Sequence, residues 1–117
     1  MRRGLGWGMI CIAMLGGWSC SQKEHAPPRE GVLPLPTIAS ILADIHLAEA
    51  AVAMQALTFQ ESLSRYDYYE REIMRRHQTD TATYRRSYEF YAADANQLAQ
   101  LMKIVADTLT ARRKALH

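Results

Sequence analysis

The sequence predicts an all-α domain, a small bundle of about four helices, and two observations predict it. Residues 37–117 contain neither glycine nor proline, whereas the six glycines all lie before residue 32 and the four prolines (Pro27, Pro28, Pro34 and Pro36) before residue 37. Tight β turns usually need glycine at positive φ, so the last 81 residues lack the punctuation that a β-rich domain uses. The same stretch is rich in Ala, Leu, Met, Glu, Gln and Arg, which cost little to place in a helix. Connections between helices then fall to Asp, Asn, Ser and Thr. A chain of 117 residues is enough for one such domain.

The start of the chain is of a different kind. Arg2 and Arg3 precede an uncharged run from Gly4 to Ser19, most apolar over Met9–Leu15. A membrane-spanning helix needs about 20 apolar residues. This run is shorter and broken by Gly4, Gly6, Gly8, Gly16 and Gly17, so residues 1–19 read as a cleavable signal peptide, with an uncut signal-anchor as the alternative. Gly17-Trp18-Ser19-Cys20 resembles a bacterial lipobox, although Gly17-Trp18 departs from the usual aliphatic-then-small pair. A polar stretch, Ser21-Gln22-Lys23-Glu24, follows at once. The expectation is cleavage before Cys20 and lipidation of that cysteine; an inert or pairing thiol is the alternative. Cys11 would leave with the signal peptide, so no intrachain disulfide could form. Residues 20–36 then serve as a Pro-rich tether, reaching roughly 50 Å at about 3.1 Å per residue.

Charge excludes one partner class. The chain has 14 Lys and Arg against 12 Asp and Glu, and Arg2 and Arg3 make up the excess. From Cys20 onward the charges balance, which suits nucleic acid poorly, because counterion release from phosphates drives most of that affinity.

The helical domain is expected over 37–117. Thr37 is a candidate N-cap, and Ile38, Ile41, Leu42, Ile45, Ala48, Val52 and Ala56 recur at spacings of three and four, one apolar face of a helix ending near Leu57. A second helix fits Tyr66–His77, with Asp67-Tyr68-Tyr69-Glu70 as a capping pattern. A third starts after Thr79 or Asp80 and buries Tyr84, Tyr88 and Tyr91. Asp94 caps a fourth, which buries Leu98, Leu101, Met102, Val105 and Leu109.

Asp44-Ile45-His46-Leu47-Ala48-Glu49 is the candidate site. On a helix Glu49 lines up with Ile38 and Leu42, and a carboxylate on an apolar stripe is expensive to bury unless paired. His46 lies three residues before it, close enough to touch. Asp44, His46 and Glu49 could make a metal or acid–base site, but a His and a Glu three apart supply two ligands where zinc takes three or four. The structural reading is preferred: Glu49 is a buried anchor bonded to a tyrosine or arginine of another helix. Of the six tyrosines, all between 66 and 91, five are expected in the core with Tyr68 pointing out. Glu72 with Arg76 and Arg85 with Glu89 have ion-pair spacing, and Arg112, Arg113 and Lys114 suit a helix C-terminus. No phosphate-binding glycine loop, Gly-x-Ser-x-Gly or His-Glu-x-x-His motif occurs. No catalytic residue, metal or cofactor is implied.

Three stretches, Ile41 to Ala50, Tyr69 to His77 and Ser87-Tyr88-Glu89-Phe90-Tyr91, follow a lipobox and a Pro-containing spacer. Together they resemble a family of short helical lipoproteins of Bacteroidota known only as domain of unknown function 4296. The resemblance covers residues 37–112; where such sequences often open the last helix with proline, this one has Asp94-Ala95-Asn96. It implies a helical fold and an address in the bacterial envelope, at the outer membrane, and no activity. The function expected is a non-enzymatic, lipid-anchored module whose partners are the membrane, through Cys20, and another envelope protein. The alternative is a carrier or chaperone-like module holding an apolar ligand or unfolded segment between its helices, with Met54, Met74 and Met102 lending an adaptable surface. The oligomeric state is left open.

Overall fold

The computed structural model describes residues 29–116, which form four helices and, among those residues, no strand. The signal peptide expected over 1–19 and Cys20 lie outside the described residues.

Helix α1 spans Leu35–Ala53. It begins two residues before Thr37, with Pro34 at the N-cap and Pro36 in the first turn. Proline fits there because its fixed φ is helical and its missing N–H is one that a helix start leaves unpaired anyway. The helix stops at Ala53, short of Leu57. The Gln55 amide donates back to the Ala51 carbonyl at 3.1 Å, occupying an acceptor the helix would otherwise use.

Helix α2 spans Phe59–Arg76, so it starts a full two turns before Tyr66. The cause is a capping box: Thr58 Oγ1 accepts from the Glu61 N–H, and the Glu61 carboxylate accepts from the Thr58 N–H at 2.8 Å. Asp67, expected to cap, sits inside the helix and pairs with Arg71 at 3.0 Å. The helix ends in a Schellman turn, with the Thr79 N–H donating to the Met74 carbonyl at 3.0 Å. Gln78 takes the left-handed position (φ 53°) that glycine usually fills.

Helices α3 (Thr81–Ala92) and α4 (Ala95–Ala115) begin as the sequence predicts, with the carboxylates of Asp80 and Asp94 accepting from the N–H groups of Thr83 and Gln97. Arg112, Arg113 and Lys114 occupy the last turn of α4.

Helix α1 is the hub. One cluster joins Leu35, Ile38, Ala39, Leu42 and Ala43 to Tyr91 of α3 and to Leu101 and Val105 of α4. A second joins Ile41, Ile45 and Ala48 to Ile73 and Met74 of α2. Each fully buried Ile or Leu contributes about 1.5–3 kcal/mol relative to exposure. By length and composition α1 is a helix that could cross a membrane, and an apolar helix near the N-terminus is compatible with membrane association. Its apolarity has another use in this fold: it is packed on by α2, α3 and α4 together. Tyr91 is buried, Tyr66, Tyr69, Tyr84 and Tyr88 are half-buried and Tyr68 is exposed. Met102, expected in the core, is exposed.

The entering segment is bound along α3. Ser87 Oγ, fully buried, accepts from the Leu33 N–H at 2.8 Å and donates to the Thr83 carbonyl at 2.7 Å. The Tyr91 hydroxyl donates to the Leu33 carbonyl at 2.7 Å, and Arg86 Nε donates to the Gly31 carbonyl at 3.1 Å. Residues 31–33, which composition alone places in the tether, are thus part of the packed domain.

Candidate functional site

Of the three residues singled out in the sequence, Glu49 is misplaced by the expectation of burial. Its side chain is 52% exposed, and its partner is His46 of the same helix, Nδ1 to Oε2 at 3.3 Å. No bond to a tyrosine or arginine of another helix is made among the described residues. The angle was right and the depth was not. At 100° per residue Glu49 does align with Ile38 and Leu42. The packed stretch of α1 ends with Ile45 and Ala48; no residue of the helix after Ala48 is buried, so Glu49 stands just past the end of the core. His46 and Glu49 therefore form a solvated i,i+3 pair, of a kind that contributes little.

Asp44 is the residue that the fold uses. It lies on the opposite face of α1 from Leu42, yet its side chain is only 12% exposed. His77 Nε2 donates to its Oδ2 at 2.7 Å, and Arg112 Nη1 donates to its Oδ1 at 2.5 Å. Arg76 Nη2 stands 3.9 Å from Oδ2. One carboxylate on α1 thus gathers the C-cap of α2 and the last turn of α4. Burial pushes the Asp44 carboxyl upward, but the hydrogen bonds from His77 and Arg112 and the charges of Arg112 and Arg76 outweigh it and hold the group below its ordinary value. The group is therefore ionised wherever the fold is intact at neutral pH. Arg76, expected to pair with Glu72, turns toward Asp44, and Glu72 pairs instead with Arg75.

This network lies within an open trough. Helices α2 and α4 both pack on α1 but not on each other, which leaves a strip of α1 uncovered between them. The trough, about 590 Å³, has Ser40, Asp44, Leu47, Ala48 and Ala51 on its α1 floor, Tyr69, Ile73, Arg76 and His77 on one side and Arg112 on the other. Leu47 is 47% exposed there. Among the described residues no group of three or more His, Cys, Asp or Glu could share a metal ion.

His77 and Arg112 were not legible as a site. They stand 33 and 68 residues from Asp44, and no local spacing announces a contact between helix ends. A weak signal existed: Asp44 falls with Ser40 and Ala51 on the less apolar side of α1, where an acid has no reason to be buried unless cations meet it.

A family described as Domain of unknown function (DUF4296) matches residues 30–115. The matched stretch starts where the chain first docks on α3 and ends with α4. No curated protein and no solved structure matches the chain.

Proposed function

The chain belongs to the family Domain of unknown function (DUF4296), and from that premise we propose that it is a lipid-anchored, non-enzymatic module of the bacterial envelope that docks another envelope protein. The observation that supports this most is the trough. It is open to solvent, its floor presents a half-exposed leucine, and within it Asp44 ties together His77 and Arg112. Preorganised, amphipathic surface of this kind suits a protein segment. A carried apolar molecule would want an enclosed cavity, and the trough is neither closed nor uniformly apolar. Further exposed apolar residues, Phe59 (79% exposed) with Leu63 one turn on and Met54 before them, extend the surface available to a partner. The lipobox-like Gly17-Trp18-Ser19-Cys20 supports the anchor.

Site-specific photocrosslinking tests the docking. A photoreactive residue at Leu47, in the full chain within its native envelope, should give a discrete adduct with one protein. The same residue at Asp107, exposed on α4 and paired with Lys103, should not. No adduct at Leu47, or the same smear at both positions, would sink the reading.

A further inference from the structure

We propose that the partner segment held in the trough carries a carboxylate beside apolar side chains, and that Arg76 and the free edge of Arg112 receive that carboxylate. The proposal rests on the docking reading above and specifies its chemistry. The charged groups lining the trough are Asp44, Arg76 and Arg112, with His77 beside them. Two guanidiniums face one carboxylate, and Glu72, which also feels the charge of Arg76, is paired with Arg75, so the trough keeps an excess positive charge beside Asp44. Arg112 spends Nη1 on Asp44. Arg76 makes no hydrogen bond among the described residues and stands 3.9 Å from the same carboxylate. Each guanidinium carries five N–H donors in a planar fork that matches a carboxylate, and among the described residues most of these donors have no protein acceptor.

The neighbouring surface decides what bears the acid. Leu47, half-exposed, and Ala51 on the floor lie next to the two arginines, over the buried Ala48 and Ile73. A nucleic-acid backbone would bring charge alone and leave this strip uncovered. A peptide that alternates apolar and acidic side chains covers the strip and delivers its carboxylate to the arginines. A charge-assisted, bidentate contact of this kind is short and directional. It also gains from partial burial, because Arg112 is less than half exposed and salt screens it less than a free surface charge.

The test uses the chain as its host processes it, in nanodiscs of zwitterionic lipid, with empty discs as the blank. Two fluorescent ten-residue peptides are titrated by anisotropy, one alternating leucine and glutamate, the other leucine and glutamine. The glutamate peptide should bind at least fivefold more tightly. Arg76→Gln, at an exposed position, should erase that preference, and Arg71→Gln, on α2 but paired with Asp67 outside the trough, should keep it. Equal binding of the two peptides, a preference that survives Arg76→Gln, or binding of neither overturns the proposal. If both bind equally and Leu47→Glu abolishes both, the acid recognition fails and docking in the trough stands. If Leu47→Glu changes nothing and Leu47 yields no adduct in the envelope, both fail together.

Discussion

The imidazole of His77 donates a 2.7 Å hydrogen bond from Nε2 to the carboxylate of Asp44, joining the end of α2 to the middle of α1 across 33 residues of sequence. Arg112 completes the tie from α4. Since the backbones of α2 and α4 do not approach each other closely, this three-way contact bridges them at the trough in a way that the two apolar clusters, each built on its own side of α1, do not. It follows that removing the carboxylate should both cost stability and loosen the trough.

Asp44→Ala should lower unfolding stability by about 1–3 kcal/mol, the range for leaving buried hydrogen-bonding partners unsatisfied. His77 is only 19% exposed and would lose its acceptor. Urea denaturation followed by circular dichroism at neutral pH measures this. A change within about 0.5 kcal/mol, as for ordinary surface substitutions, would show the network to be incidental.

The pH dependence has a definite sign. The Asp44 carboxyl is held below its ordinary value in the folded chain. Its stabilisation is therefore fully present above the unfolded value of about 3.8 and is lost as pH falls through the lower, folded value. Between neutral pH and pH 3, Asp44→Asn should consequently lose less stability than the wild type does. Parallel acid-unfolding slopes for the two proteins would contradict the assignment. Glu61, Glu72 and Asp80 are also lowered, by Thr58, Arg75 and Thr83 respectively, so the comparison must be between these two proteins and not with a reference.

Glu49→Ala makes the opposite case. With its carboxylate exposed and paired only to His46, the substitution should change stability by no more than about 0.5 kcal/mol. A loss of 1 kcal/mol or more in the same urea titration would restore the buried-anchor role that the sequence suggested.

Why Glu49 reads as buried and Asp44 does not shows where periodicity stops. The 3.6-residue pattern places Ile38, Ile41, Leu42, Ile45 and Ala48 correctly, and all five are buried. Angle around a helix is local information. How far along that helix its neighbours extend is not, because it depends on the lengths and crossings of α3 and α4. Capping is local too, and here the signal was present: Thr58-Phe59-Gln60-Glu61 has the spacing of a capping box as clearly as Asp67 to Glu70 does. Phe59, Leu63 and Tyr66 also recur at helical spacing, and Phe59 and Leu63 face solvent because the first turns of α2 extend beyond the core. The Asp44, His77 and Arg112 contact joins three helices, and beyond the placement of Asp44 on α1 nothing local in the sequence marks its partners.

Thr58→Ala should therefore cost about 1 kcal/mol, typical of losing a side-chain N-cap, and Glu61→Gln should cost less, because the amide oxygen can still accept from the Thr58 N–H. Thermal unfolding of the variants checks the order. A Thr58→Ala protein as stable as wild type would mean that α2 is held by packing alone.

The anchor has its own test. In the producing cell, labelled fatty acid should be incorporated into the chain, and Cys20→Ala should abolish the label while the helical circular dichroism of the domain is kept. Label that survives the substitution would remove the lipid from the proposal without touching the trough.

The last prediction concerns the segment that enters the bundle. Leu33 is held on both sides, its N–H by Ser87 Oγ and its carbonyl by the Tyr91 hydroxyl. Ser87 is fully buried, so Ser87→Ala leaves the Leu33 N–H without an acceptor that water could easily replace, at a cost of about 1–3 kcal/mol. Tyr91→Phe keeps the ring that packs beside Leu35 and Leu101 and removes only the hydroxyl, so its cost should sit near the lower end. The consequence should be local before it is global. Hydrogen exchange at the Leu33 amide should accelerate in Ser87→Ala by a larger factor than exchange at Ile38, which lies in the α1 core and opens with the whole domain. Equal acceleration at the two amides would mean that the segment comes off only when the bundle unfolds. In that case Val32 and Leu33 would belong to the same cooperative unit as α1, and the bonds to α3 would not be a separate latch.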